Sequence, residues 1–202
     1  RCQKDGVKIV MNCEVTPELI KEEKPDSVII ATGSKTLILP IEGIDNPAII
    51  HGSDLLDGKR AAGKKVLVVG GGMVGCETAA FLGEQEHDVT VIEFRDTVGA
   101  DVIHEHRVYL MKDFEDYGIK EITGAKVCKF YEDGVEYETA DGVRHESRGY
   151  DSVILSMGFR NYNPLEEKIK DLVPETHVIG DAIRARRALD ATKEAYEVAS
   201  RI

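Results

Sequence analysis

A glycine-rich segment followed by an acidic residue constrains the fold more than any other part of this chain. The apolar run Val66–Val69 leads into Gly70, Gly71, Gly72, Met73, Val74 and Gly75. A second apolar run, 89–92, ends at Glu93. A strand, a glycine turn, a helix and a second strand ending in a carboxylate form the βαβ unit that binds dinucleotides. The alternative is a plain βαβ turn without a ligand.

Each glycine has a separate predicted task. Gly70 permits the tight turn, Gly72 lets backbone N–H groups approach a pyrophosphate, and Gly75 lets the helix lie close to the sheet. The N-terminus of that helix offers free N–H donors to the phosphates. Glu93 can accept from ribose hydroxyls and would repel a 2′-phosphate, which favours NAD over NADP; Arg95 weakens this preference, because an arginine can accommodate the extra phosphate.

Composition and charge exclude several functions. The chain has 202 residues, is 31% charged and has a net charge of −11, which disfavours a nucleic-acid or anionic-membrane surface. We identify no apolar run of bilayer length and no signal peptide. Four cysteines without a CxxC pair argue against a metal site and a dithiol centre, and fit a reducing, cytoplasmic setting. We interpret Arg184, Arg186 and Arg187 as a solvated loop rather than a phosphate contact.

Local patterns predict the surrounding elements. We expect a strand over 7–10 and a helix over 16–23, which Thr16 caps and in which Pro17 is the first residue. A further helix is expected over 101–117, with Asp101 as its cap and Gly118 at its end. We interpret 51–60 as the linker into the nucleotide-binding unit.

Two Asp-Gly pairs predict hairpins in the second half of the chain. Asp133-Gly134 and Asp141-Gly142 join three alternating runs, which gives an antiparallel meander over 127–147. The run 151–155 then returns to the parallel sheet, and a terminal helix is expected over 188–200. Because the chain begins with arginine, we expect it to be a piece of a longer protein.

Several motifs occur in the order found in two-dinucleotide-domain flavoproteins. They are Ala31-Thr32-Gly33, the 70–93 unit, Ser156-Met157-Gly158 and Gly180-Asp181. In sequence, the chain resembles the C-terminal half of the old-yellow-enzyme-like NADH:flavin oxidoreductases. That family includes 2-enoate reductase, 2,4-dienoyl-CoA reductase and trimethylamine dehydrogenase. The resemblance covers nearly the whole chain.

The resemblance implies a fold and a division into domains. The expected fold is α/β and Rossmann-like, a three-layer parallel sheet with an antiparallel β-meander, plus a truncated second FAD-type lobe. Residues 59–158 would form the NAD-binding domain. Residues 1–58 and 159–202 would be the two parts of the FAD-type lobe.

The resemblance also implies roles for single residues. Gly33 would pack near the flavin nucleotide, Asp181 would contact the ribityl chain, and Gly158 would belong to the cofactor site. Glu77 matches a glutamate near the nicotinamide in related disulfide reductases, or is simply a solvent-facing helix residue. Glu86 stands where the family has glycine, which costs about 1 kcal/mol if the backbone there is left-handed.

The implied function is docking of NADH for hydride transfer to a flavin. The family's substrate-reducing part is an N-terminal barrel with FMN and an iron–sulfur cluster. The chain has neither that barrel nor the FAD phosphate fingerprint, so we do not expect this fragment alone to hold FAD or to be active. One alternative is a structural module that binds ADP without exchanging hydride. Another is part of an NADH oxidase or a disulfide reductase.

Overall fold

A computed structural model describes residues 2–202. The helices are α1 (Pro17–Glu23), α2 (Gly52–Leu56), α3 (Met73–Glu84), α4 (His104–Asp116), α5 (Glu166–Ile169) and α6 (Ala188–Ala199), with 3₁₀ turns at Cys2–Asp5 and Gly180–Ala182. The strands are β1 (Ser27–Ile30), β2 (Ser34–Thr36), β3 (Ile50–His51), β4 (Lys65–Val69), β5 (Asp88–Ile92), β6 (Lys120–Ile122), β7 (Lys126–Tyr131), β8 (Gly134–Glu138), β9 (Arg144–Ser147), β10 (Ser152–Leu155), β11 (Phe159–Asn161) and β12 (Glu175–Val178).

The chain divides into two compact units. One comprises residues 1–35 and 159–202, and the other residues 36–158. The boundary between the compact units lies after residue 35, whereas the NAD-binding domain was predicted to begin at residue 59 and stays a prediction. Residues 51–60 are correspondingly not a linker, because β3 pairs with β10 and α2 follows it directly. The apolar side chains of Ile50 and Leu55, 4% and 6% exposed, hold this segment in the core.

The unit 36–158 has three layers around a parallel sheet in the order β3-β10-β4-β5-β6. Alternation along β4 separates the two cores, because successive side chains of a strand point to opposite faces. Val66 and Val68 pack towards the helices, with Leu82 and Phe114, whereas Leu67 packs on the opposite side, among residues of the β7-β8-β9 meander. All four residues of 66–69 are at most 2% exposed, as expected for a strand covered on both faces. The predicted three-layer fold is confirmed.

The other unit contains a smaller core. Strands β1 and β12 pair in parallel, and Ile20 of α1 packs with Ile30, Leu165 and Ile169. Thr16 caps α1 as predicted, with its hydroxyl accepting from the Leu19 amide at 3.3 Å. The predicted strand over 7–10 is wrong: this segment has no strand pairing, and its apolar side chains Val7, Ile9 and Val10 are more than half exposed.

Candidate functional site

The glycine turn joins β4 to α3 at the carboxyl edge of the parallel sheet. Gly70 has φ +106°, and a Cβ there would lie 2.4 Å from the Ser156 carbonyl oxygen. A Cβ on Gly75 would lie 1.8 Å from the Gly70 carbonyl oxygen, which is far inside van der Waals contact. The turn and the close approach of α3 to the strand therefore require glycine at both positions, as the sequence predicts.

The N-terminus of α3 presents backbone donors on the open side of this turn. Gly72 is the N-cap residue, and its φ of −72° is accessible to any residue. Within residues 2–202, the amides of Gly72 and Val74 have no hydrogen-bond acceptor. Unpaired amides at the start of a twelve-residue helix, together with the helix dipole, attract an anion.

Glu93 lies at the end of β5, beside the glycine turn, and is half-buried. Its Oε2 accepts from the Gly71 amide at 2.5 Å, and its Oε1 accepts from the Arg95 amide at 2.9 Å. A carboxylate has about four lone-pair positions, so both oxygens keep capacity for a further donor such as a ribose hydroxyl. The structure thus brings the predicted acidic residue next to the predicted phosphate loop.

Asp101 also lies beside the glycine turn, a position that the sequence did not predict. Its Oδ1 accepts from the Met73 amide at 2.9 Å, so it caps α3 rather than α4. The expectation that Asp101 caps the helix of residues 101–117 is therefore wrong, because that helix starts at His104 and its N-cap residue, Ile103, makes no side-chain cap. The bond spans 28 residues, and no local spacing rule connects such positions.

The Ser156-Met157-Gly158 segment lies against the same turn. Gly158 has φ +97°, which favours glycine, and its carbonyl accepts from the Leu37 amide at 2.9 Å. The Ser156 hydroxyl is buried and has no hydrogen-bond partner within residues 2–202. Glu77 lies in the second turn of α3 and is half-buried, which leaves both interpretations of this residue open.

Gly33 and Asp181, the two flavin-associated predictions, lie in the other unit. Gly33 has φ +77°, and a Cβ there would meet no atom within 4 Å. Asp181 accepts from the Ser34 hydroxyl through Oδ2 and from the Arg186 amide through Oδ1, both at 3.1 Å. Oδ2 thus links the 3₁₀ turn Gly180–Ala182 to the first residue of β2, and the role of Asp181 toward a flavin stays a prediction.

The arginines of the predicted solvated loop are partly engaged in ion pairs. The Arg186 guanidinium donates to Glu194, which holds the pKa of that carboxyl below its usual range. Glu194 also accepts from the Gly180 amide at 2.7 Å. The Arg187 Nε lies 4.0 Å from Oδ2 of Asp190.

Cys76 lies inside the first turns of α3. Its thiol donates to the Gly71 carbonyl at 3.3 Å, and burial raises its pKa to about 12. A neutral thiol of this kind is neither a nucleophile nor a metal ligand at neutral pH. Within residues 2–202, no three His, Cys, Asp or Glu side chains converge as a metal site. No helix in this range has the length and apolar character needed to cross a membrane.

A family model described as pyridine nucleotide-disulphide oxidoreductase matches residues 1–180. The chain belongs to this family. Family members bind NAD(P) and FAD, and the chain is accordingly a pyridine-nucleotide-dependent flavoprotein oxidoreductase domain. The glycine turn and the unpaired amides at the N-terminus of α3 suit the diphosphate of a pyridine dinucleotide.

Two curated relatives and one solved structure are similar over nearly the whole chain. Cinnamate reductase of Clostridium sporogenes is 31% identical over 200 residues, which are 98% of this chain and 30% of that protein. NADH oxidase of Thermoanaerobacter brockii is 32% identical over 202 residues, with 98% and 31% covered. A 2-naphthoyl-CoA reductase, solved in complex with 2-naphthoyl-CoA, superimposes with a TM-score of 0.89 at 31% identity over 100% of this chain and 30% of that one.

The chain thus spans about a third of the length of these relatives. A water-forming NADH oxidase from Lactobacillus brevis, solved with NADH bound, shares the fold with a TM-score of 0.63 at 22% identity.

Proposed function

We propose that residues 36–158 bind NADH and position it for hydride transfer to a flavin in a longer reductase. The observation that carries the proposal is the placement of Glu93 beside the glycine turn, with its Oε2 2.5 Å from the Gly71 amide nitrogen. One end of the site then offers a carboxylate to the adenosine ribose, and the other offers the α3 amides to the diphosphate.

NADH is favoured over NADPH because the carboxylate occupies the position that a 2′-phosphate would approach. Two anionic groups in contact repel each other, and a partly buried carboxylate is screened only in part. The exposed side chain of Arg95 lies two residues away, but its backbone amide is what contacts Glu93. We therefore expect NADPH to bind about tenfold more weakly than NADH, the scale of one lost charge-assisted interaction.

The proposed parent activity is reduction of a C=C bond, as the names of cinnamate reductase and 2-naphthoyl-CoA reductase suggest. In this proposal the nicotinamide supplies a hydride, while the chain's own residues bind and orient the dinucleotide. FMN, an iron–sulfur cluster and the barrel that would carry them are proposed parts of the parent protein. A second candidate is NADH oxidation by a flavoprotein, which the relative from Thermoanaerobacter brockii favours.

Calorimetric titration of the chain with NADH, NADPH and ADP tests the proposal. We expect NADH to bind more tightly than ADP, because the nicotinamide half would add contacts. Equal affinities would favour a structural ADP module, and no binding of NADH at millimolar concentration would refute the proposal for this chain.

A pair of variants locates the binding site. Glu93→Gln should weaken NADH binding about tenfold, because hydrogen bonds to a charged acceptor become bonds to a neutral amide. Glu121→Gln is the matched control, because Glu121 is exposed on the neighbouring strand β6 and this substitution also removes one negative charge. If both variants bind NADH as tightly as the unmodified chain, the ribose does not contact Glu93.

A further inference from the structure

Asp101 accepts a hydrogen bond from the Met73 amide, a donor that the diphosphate of a dinucleotide would need. Its Oδ1 lies 2.9 Å from the amide nitrogen of Met73, the first residue of α3, and a Cβ on Gly72 would lie 3.2 Å from its Oδ2. The carboxylate therefore covers the first turn of α3, beside the free amides of Gly72 and Val74. A diphosphate seated on this helix N-terminus would compete with Asp101 for the same donor.

The fold positions Asp101 there through its backbone. The Gly99 amide donates to the Gly71 carbonyl at 2.7 Å, and the Val102 amide donates to the Gly99 carbonyl at 3.1 Å. Val98 and Val102 are 1% and 8% exposed and anchor the loop in the core on either side of Asp101. The side chain of Asp101 itself is exposed, so it can leave Met73 without unfolding the loop.

Asp101 and Glu93 both lie at the glycine turn, and the Arg107 guanidinium donates to the Val98 carbonyl of the same loop. Burial is the main cause of the raised pKa of Cys76, one turn into α3, and the negative charges of Asp101, Glu121 and Glu93 raise it further. A diphosphate entering here would meet two carboxylates, one of which sits on its own donor. Like charges repel one another, and only part of that repulsion is screened at a surface.

We propose that Asp101 is an internal anion that caps α3 in the ligand-free protein and is displaced by the diphosphate of the bound dinucleotide. The carboxylate satisfies the helix N-terminus between binding events, and its displacement lowers the affinity for the cofactor. Asp101 thereby sets how tightly the dinucleotide is held. This inference rests on the proposed function, because it concerns the same site.

The test compares ADP with adenosine, which lacks the diphosphate, by calorimetric titration of three proteins. Asp101→Asn keeps the shape and one acceptor oxygen but removes the charge. Asp96→Asn is the matched control, because Asp96 is exposed in the same loop and this substitution also removes one negative charge. We expect Asp101→Asn to bind ADP about fivefold more tightly, the scale of screened repulsion at a helix N-terminus, with adenosine unchanged. Asp96→Asn should change the ADP affinity less than twofold.

An amide NMR spectrum supplies a second readout. The Met73 cross-peak should move when ADP is added to the unmodified chain, and Asp101→Asn alone should shift it without ligand. A Met73 signal that ADP leaves in place would contradict the proposed displacement.

The outcomes separate this inference from the proposed function. Equal ADP affinity in the unmodified chain and Asp101→Asn, or weaker binding by the variant, overturns the role of Asp101 and leaves NADH binding intact. Equally improved adenosine and ADP binding also overturns it, because the effect would not lie at the diphosphate. ADP binding by Asp101→Asn alone supports the inference and contradicts nucleotide binding by the unmodified chain. Failure of both proteins to bind overturns both.

Discussion

Substitution of Gly75 by alanine should separate the structural task of the glycine turn from its binding task. The added Cβ would lie 1.8 Å from the Gly70 carbonyl oxygen and 2.9 Å from its carbonyl carbon, whereas real Cβ contacts essentially never fall below 3.0 Å. The start of α3 or the end of β4 must therefore move by more than about 1 Å. Both partners are backbone, so no side-chain rotation relieves the clash.

The expected cost follows from overpacking. Inserting a methyl group into a close-packed interior costs about 1–3 kcal/mol, and a backbone clash lies at the upper end of that range. A loss of about 3 kcal/mol corresponds to a fall in Tm of roughly 6–12 °C for a chain of this size. Because the chain contains no tryptophan, urea and thermal unfolding are best followed by far-UV circular dichroism.

Gly72→Ala is the matched control within the same turn. Its backbone has a negative φ, and the new Cβ would meet only the end of the Asp101 side chain, at 3.2 Å. We expect it to cost no more than about 1 kcal/mol, mainly from the poorer N-cap. It should nevertheless weaken NADH binding, because the methyl group stands where the diphosphate approaches the amides. A Gly75→Ala protein as stable as Gly72→Ala would refute the argument that helix–strand contact requires glycine.

Two further predictions concern the backbone and the thiols. Glu86 has φ +62°, so Glu86→Gly should raise the free energy of unfolding, measured in urea, by about 0.5–1 kcal/mol. Glu84→Gly, at the last residue of α3, should lower the free energy of unfolding by up to about 1 kcal/mol. A loss of stability in both variants would contradict the argument that the backbone at Glu86 is strained. At pH 8, Ellman's reagent should label the exposed Cys2 and Cys13 rapidly but Cys76 only after denaturation, and rapid native labelling of Cys76 would contradict its burial. The folded pKa of Cys76, about 12, exceeds its unfolded value near 9, so this thiol stabilises the fold below pH 9 and loses that contribution as the pH rises towards 12.

Local sequence rules located the glycine turn of the site and several elements elsewhere in the fold. The 66–75 segment, the cap at Thr16 and the two Asp-Gly turns depend on contacts within a few residues, and the structure has all of them. The left-handed conformation at Glu86 follows from the same local logic, because the chain must turn after α3 whatever residue stands there.

Long-range contacts decided the rest. Residues 7–10 have an apolar pattern but no partner strand, and a strand is stable only when its backbone groups are paired. Residues 51–60 look polar, yet His51 pairs with β10 as the last residue of β3, and α2 follows directly with Leu55 buried. The residue pattern of a segment does not show whether a distant strand pairs with it.

The glycine turn shows both contributions in one place. The sequence by itself determined that Gly70, Gly72 and Gly75 open a helix beside a strand, because each lacks a Cβ where the backbone must turn or approach. Only the tertiary structure decided that Asp101 caps this helix, since a hydrogen bond across 28 residues depends on how the loop after β5 folds back onto the turn. The residue that we propose sets the affinity of the site was therefore invisible to spacing rules.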